Sequence, residues 1–345
     1  MIRRSLHRVV LALATALVLL VTGCNSSAPS NSTSSTGPAP KAPAPSGNKK
    51  MVYAGLGKST VWYWNYVGDG MKEAAGKLQA EAIFQSPQTE DVPQQVSTFQ
   101  SYVSQNVDGI AFAASDATAF NNVVKQATDA GIPVITFDSD APESGRLLYI
   151  GASAYEGGKL AGARMVQILG GKGNVAIQVG SVTALNAKER IQGFMDGIKG
   201  SDIKVITTAV DKEDPATAAS QAQEIIAAHP DLDAFLGVYA YNAAAQAQAV
   251  KAANKVGKIK IIGWDDAPDT LQFVKDGVID STVYDAEKGY GSVAVQVLYN
   301  IKVFGLDATL QMLGIDPKTP VKDRALMVPV VIITKDNVDQ FMTKK

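Results

Sequence analysis

Downstream of residue 50, this chain of 345 residues predicts an α/β protein made of two doubly wound, Rossmann-like lobes with parallel sheets. Three observations predict it. Short apolar runs alternate regularly with stretches of helical spacing, which implies parallel strands joined by right-handed crossovers. Runs such as Pro133–Phe137 and Ile259–Gly263 are almost continuously apolar, as strands covered on both faces must be. The alternation then restarts near Asn174, and the strands are too many for one compact open sheet. A span from Met51 to Lys345 suits two domains of about 150 residues.

The elements follow in order. Val52–Gly57 reads as a strand, followed by a helix around Asp69–Ala80 with Met71, Ala74, Ala75 and Leu78 on one face. Glu81–Gln85 is strand-like and Gln94–Gln105 helical. Gly109–Ala113 and Pro133–Asp138 are strands flanking a helix at Ala117–Ala130, which Gly131 stops. Leu148–Ala152 is a strand leading into the helix Tyr155–Leu169. The second half repeats the pattern with strands at Asn174–Gly180, Lys204–Val210, Ala234–Val238, Lys260–Trp264 and Ser281–Asp285. Helices are expected at Ala187–Lys199, Ala216–Ala228, Ala243–Asn254, Asp269–Asp276 and Tyr290–Phe304. Val328–Thr334 is the last strand, before a short helix.

The first 50 residues have a different character. Arg3, Arg4, His7 and Arg8 precede an apolar run from Val9 to Val21, then Thr22-Gly23-Cys24. That order is a secretory signal, with the run too short for a spanning helix of about 20 residues. Small residues directly before the only cysteine resemble a bacterial lipobox, so residues 1–23 are expected to be removed and Cys24 lipidated. A plain cleaved signal with Cys24 a bystander is the alternative. Residues 24–50 then form a tether of Ser, Thr, Asn, Pro, Ala and Gly that cannot bury enough apolar surface to offset its ordering entropy. The protein is expected outside the cytoplasm, anchored to a membrane by lipid.

Composition removes several function classes. A net charge of −1 without a basic stripe gives no footprint for nucleic acid. Of two histidines, His7 leaves with the signal, and His229 stands before Pro230 where a cation complements a helix C-terminus. Metal clusters of His and Cys, and Ser-His or Cys-His catalysis, are therefore excluded, and no metal or cofactor is expected. Gly57-Lys58-Ser59-Thr60 imitates the end of a phosphate-binding loop, but Val52 stands where that motif needs its first glycine.

Ligands of doubly wound sheets bind beyond the carboxyl ends of the strands. What stands there is aromatic and acidic: Lys58, Trp62, Tyr63 and Trp64 after the first strand, Asp138 after Pro133–Phe137, and Asn186 with Arg190 sharing a helix face. Asp211 and Glu213, Tyr241 and Asn242, Trp264 and Asp265, and Asp285 follow later strands. Any one tryptophan is ordinarily core, yet all three fall in this set. A sugar fits the combination, because its C–H faces pack on rings while its hydroxyls need carboxylates, Arg and Asn.

The span Met51–Lys345 resembles the type I periplasmic sugar-binding proteins, close in pattern to ribose-binding proteins. The resemblance is carried by Gly131–Asp138, Glu156-Gly-Gly-Lys-Leu-Ala-Gly162, Glu189-Arg-Ile-Gln-Gly-Phe194, Ala228-His-Pro-Asp231, Ile262-Gly-Trp-Asp265, and Asp276-Gly277 before Thr282. It implies two lobes joined by a three-crossing hinge, composed of residues 51–153 with 286–328 and 154–285 with 329–345. It also implies a receptor that hands its ligand to an ABC-transporter permease, with Asp138, Arg190 and Asp265 as hydroxyl ligands and Tyr63 and Trp64 as stacking aromatics. A monomer is expected. Ser139 replaces the family's Arg, Ala240-Tyr241 its Asn-Asp pair with Asn242 as a substitute, Asp285 its hinge Gln, Glu213 an aromatic and Trp264 a Phe. These departures point away from ribose itself. Two other classes remain: a receptor for another small polar solute such as an amine, amino acid or signalling furanose, and an extracytoplasmic glycoside hydrolase using two of the carboxylates.

Overall fold

The computed structural model describes residues 50–285 and 289–342; the signal, Cys24 and the tether to residue 49 lie outside the described residues. The first sheet contains β1 (Val52–Leu56), β2 (Glu81–Gln85), β3 (Gly109–Phe112), β4 (Val134–Phe137), β5 (Tyr149–Ala152) and β11 (Ala325–Val328). Its order is β11-β5-β4-β3-β1-β2, every neighbour parallel. The second contains β6 (Lys172–Val179), β7 (Asp202–Val210), β8 (Ala234–Gly237), β9 (Lys260–Trp264), β10 (Ser281–Tyr284) and β12 (Val331–Thr334), in the order β12-β10-β9-β8-β6-β7. Both lobes thus repeat one winding, and each has a switch point beside its first strand.

Helices cover both faces. α1 (Trp62–Lys77), α2 (Val92–Ser104) and α3 (Asn121–Asp129) belong to the first sheet. α4 (Ala154–Leu169), α5 (Leu185–Gly197), α6 (Pro215–Ala228), α7 (Asn242–Ala252) and α8 (Pro268–Asp276) belong to the second. α9 (Tyr290–Phe304) returns to pack on α1, and α10 (Leu306–Met312) and α11 (Asp339–Met342) follow. Their starts are chemically marked: the Asp91 carboxylate accepts from the Gln94 amide, Ser153 from Glu156 and Asp214 from Ala216. The chain crosses between sheets after β5, after β10 and between β11 and β12.

Four sequence expectations need correction. The run 328–334 is not one strand: Pro329 offers no N–H to a ladder, and β11 and β12 fall in different sheets on either side of it. β12 also runs antiparallel to β10, so the second sheet is not wholly parallel. α1 begins at Trp62, not Asp69, because burial of Tyr63, Trp64 and Val67 overrides the weak helical preference of an aromatic stretch. α3 begins at Asn121 because the Asp116 carboxylate takes the Thr118 and Ala119 amides into a turn. α10 is too short to show a period in sequence and was not expected.

The glycines of the Glu156–Gly162 and Glu189–Phe194 motifs let α4 and α5 touch backbone to backbone. A Cβ on Gly158 would stand 2.1 Å from the Arg190 carbonyl oxygen, and one on Gly193 2.0 Å from that of Tyr155. This contact fixes the helix that carries Asn186 and Arg190. Gly193→Ala is therefore expected to destabilise the fold by about 3 kcal/mol, the upper end of overpacking costs. Gly76, with open space around its Cβ in the same kind of helix, is the control; Gly76→Ala is expected to stabilise by about 0.4–1 kcal/mol. Denaturant midpoints of the two variants read both signs, and equal effects would overturn the packing argument.

Arg146 pins the segment before the last crossing. It is buried, bonds Asp140 through two nitrogens (Nη2 to Oδ2 2.6 Å), and donates to the carbonyls of Val321, Lys322 and Arg324.

Candidate functional site

The carboxyl ends of the two sheets meet, and between them lies a cleft. One wall comes from the turn after β1 and the start of α1 (Lys58, Val61, Tyr63, Trp64) and from Asp138 after β4. The other comes from α5 (Asn186, Arg190), Glu213 after β7, Tyr239, Ala240 and Tyr241 after β8, and Asp265 after β9. All but Val61, Tyr239 and Ala240 are expected site residues. Tyr239 was legible as a residue directly after a strand, but nothing in the sequence separated it from its neighbour Tyr241.

Four expected residues stand behind the lining. Trp264 is 1 % exposed and lies under the Arg190 guanidinium at 4.3 Å; its indole N–H donates to Asp285 at 3.4 Å. Asp285 in turn accepts from Arg190 Nη2 at 3.2 Å. Asn242 accepts from the Tyr239 amide and donates to Asp211, which also accepts from the Tyr241 hydroxyl. These groups hold Arg190, Tyr239 and Tyr241 in place. Trp62 faces away, edge-on to Tyr63 and Tyr66 at 6.3 and 6.2 Å. Side chains rotate by about 100° per residue along a helix, so once α1 starts at Trp62 the adjacent Tyr63 and Trp64 line the cleft and Trp62 does not.

The lobes bond directly across the cleft. Lys58 Nζ lies 3.0 Å from Glu213 Oε1, and both side chains are almost completely buried. Glu213 Oε2 also accepts from Ser59 (2.7 Å) and from the Trp64 indole (3.0 Å). Asn186 donates to Asp138 at 3.1 Å, and Lys58 to the Tyr239 hydroxyl at 3.1 Å. Further out, Thr183 donates to the Ser115 carbonyl and the Glu90 amide to the Lys212 carbonyl.

Three of the lining carboxylates sit on strained backbone, with φ of 57° at Asp138, 57° at Glu213 and 72° at Asp265. Left-handed conformations at residues other than glycine cost about 1–3 kcal/mol each and persist where the surroundings over-determine them. Here they turn three acidic side chains toward one space. Burial pushes Asp138 up to about 6, against the pull of Lys58 and Arg190. Burial also raises Asp211 to about 6, against hydrogen bonds from Tyr241 and Asn242. Burial by itself lowers the Lys58 ammonium, but Glu213, Tyr239 and Asp138 together hold it above the usual lysine range. Asp285 is raised by burial and opposed chiefly by Arg190. Asp265 is 5 % exposed, and its Oδ1 has no hydrogen-bond partner among the described residues. Groups of His, Cys, Asp or Glu suited to a metal ion do not occur among the described residues.

A cleft of donors, acceptors and rings between two switch points is the geometry of a two-lobed solute-binding protein. The periplasmic binding protein domain model matches residues 55–305, and the chain belongs to that family. It is thus an extracytoplasmic binding protein, not an enzyme. The ribose import binding protein RbsB of Bacillus subtilis is 29% identical over 262 residues, covering 75% of this chain and 84% of that protein. A D-ribose/D-allose-binding protein of Pseudomonas aeruginosa is 27% identical, covering 71% and 75%. Among solved structures, an ABC transporter solute-binding protein from Burkholderia graminis in complex with D-arabinose is 31% identical with a TM-score of 0.75, covering 86% of this chain and 98% of that one. GanP, a glucose-galactose binding protein from Geobacillus stearothermophilus, gives 28% and 0.73, covering 84% and 99%.

Proposed function

We propose that the protein is the receptor of an ABC transporter, capturing a monosaccharide between its lobes and delivering it to a permease. The observation that carries this reading is the cleft itself: Asp138, Asn186, Arg190 and Asp265 from both lobes converge on one space beside the Tyr63 and Trp64 rings. Hydroxyls donate to the carboxylates and accept from Arg190 and Asn186, while the C–H faces of a pyranose or furanose cover the rings. The names of the relatives, which bind ribose, allose, arabinose, glucose or galactose, support the same class. Closure of the lobes buries the ligand.

In this reading residues 1–23 are a signal peptide, Cys24 carries the lipid, and 25–50 tether a monomeric binding domain near its permease. The lobes are 51–153 with 286–328, and 154–285 with 329–345. A thermal-shift screen against pentoses, hexoses, amino acids and polyamines tests the ligand class. A binder present at a hundredfold excess over Kd adds about 2.7 kcal/mol to stability. A shift with at least one monosaccharide is expected; shifts with amino acids or polyamines alone would overturn the sugar reading.

A further inference from the structure

We infer that the cleft takes an amine-bearing sugar or cyclitol, with its protonated nitrogen held against Asp265. The inference rests on the sugar reading above and narrows it.

The argument is one of charge. Among the described residues five carboxylates, Asp138, Asp211, Glu213, Asp265 and Asp285, lie in or directly behind the lining, against two cations, Lys58 and Arg190. Both cations are already committed. Lys58 pairs with Glu213 at 3.0 Å, and Arg190 reaches Asp285 at 3.2 Å and Asp138 at 3.9 Å.

Asp138 shares Arg190, and Asp211 is held by Tyr241 and Asn242, so among the described residues Asp265 is the carboxylate with no cation in reach and no donor on its Oδ1. It is more than nine-tenths buried, it lines the cleft, its backbone is held left-handed, and its Oδ1 has no hydrogen-bond partner among the described residues. A buried carboxylate needs hydrogen bonds and a counter-charge, or it takes up a proton. A hydroxyl brings a donor but no charge. A protonated amine brings three donors and the missing positive charge together. The faces of Tyr63 and Trp64 in the same lining suit a cation as well as they suit C–H groups. A simple alkylamine answers Asp265 alone, whereas Asn186, Asp138 and Arg190 require a body bearing several hydroxyls.

Isothermal titration of the full-length protein with matched pairs tests this. The probes are D-glucosamine against D-glucose, D-galactosamine against D-galactose, and scyllo-inosamine against scyllo-inositol. The amine of at least one pair is expected to bind tenfold or more tighter than its hydroxyl parent. That ratio is expected to shrink as pH rises through the pKa of the amine itself, a measurement that needs no variant. Asp265→Asn is expected to bring the ratio below threefold. Parents that bind as tightly as amines in every pair, or a preference that survives Asp265→Asn, would overturn the charge inference and leave the sugar receptor standing. If no member of any pair binds while putrescine does, the sugar reading falls with it.

Discussion

Glu213→Ala is expected to weaken ligand binding by about two to three orders of magnitude while both lobes stay folded. The Lys58–Glu213 pair spans the cleft with each side chain less than 5 % exposed, so in the closed form Lys58 has no route to bulk water. Removing one partner of a buried pair costs about 3–5 kcal/mol, because the remaining charge is left uncompensated. Each 1.4 kcal/mol is about tenfold in affinity. The Ser59 hydroxyl and the Trp64 indole N–H lose their acceptor in the same step. Once the lobes separate, water reaches Lys58 and the penalty disappears, so the ligand-free melting midpoint is expected to stay close to wild type. Titration calorimetry together with melting separates the two effects. Lys58→Met combined with Glu213→Leu removes both charges and is expected to bind tighter than Glu213→Ala alone, since neither variant charge is then stranded. Wild-type affinity in Glu213→Ala would show that the pair does not hold the lobes together.

Folding stability is expected to fall as pH rises from about 4 to about 6. The carboxyls of Asp138 and Asp211 are raised by burial to about 6 in the folded protein, against 3.8 for the ordinary group. Between those values the folded state keeps protons that the unfolded chain has released, so stability decreases with pH across this window and levels off above it. About two pKa units correspond to about 3 kcal/mol for each group. Asp116 and Asp214 are lowered instead, Asp214 chiefly by its bond from Thr217 and Asp116 by the Thr118 and Ala119 amides outweighing burial. Their stabilising effect is lost only as pH falls below the ordinary carboxylate value, outside the window. The urea midpoint should therefore be higher at pH 5 than at pH 7, and Asp211→Asn should flatten the difference. A midpoint that rises from pH 5 to pH 7 would contradict the assignment.

Much of this architecture was legible because it rests on local physics. Near-continuous apolar runs such as Val134–Phe137 and Lys260–Trp264 become buried strands whatever surrounds them, and those strands end where the sequence pattern ends. Rossmann winding then places the residue after each strand at the sheet's carboxyl edge, which is why Lys58, Asp138, Glu213, Tyr241 and Asp265 converge on one cleft. What failed were elements set by long-range contact. Trp62–Tyr66 has no strong helical preference of its own, and packing of Tyr63, Trp64 and Val67 draws it into α1. The split at Pro329 depends on β11 and β12 having partners in different sheets.

By itself the sequence determined the alternation of strands and helices, the duplicated winding, and which chemical groups stand at strand ends, because periodicity and strand polarity are local properties. Only the tertiary structure decided how those groups divide their work. It separated Trp264 and Asp285, which brace Arg190, from Asp265, which faces the cleft. It also joined Lys58 to Glu213 across 155 positions of chain. Charge pairing and burial depend on distances between lobes, and no spacing along a single strand or helix encodes them.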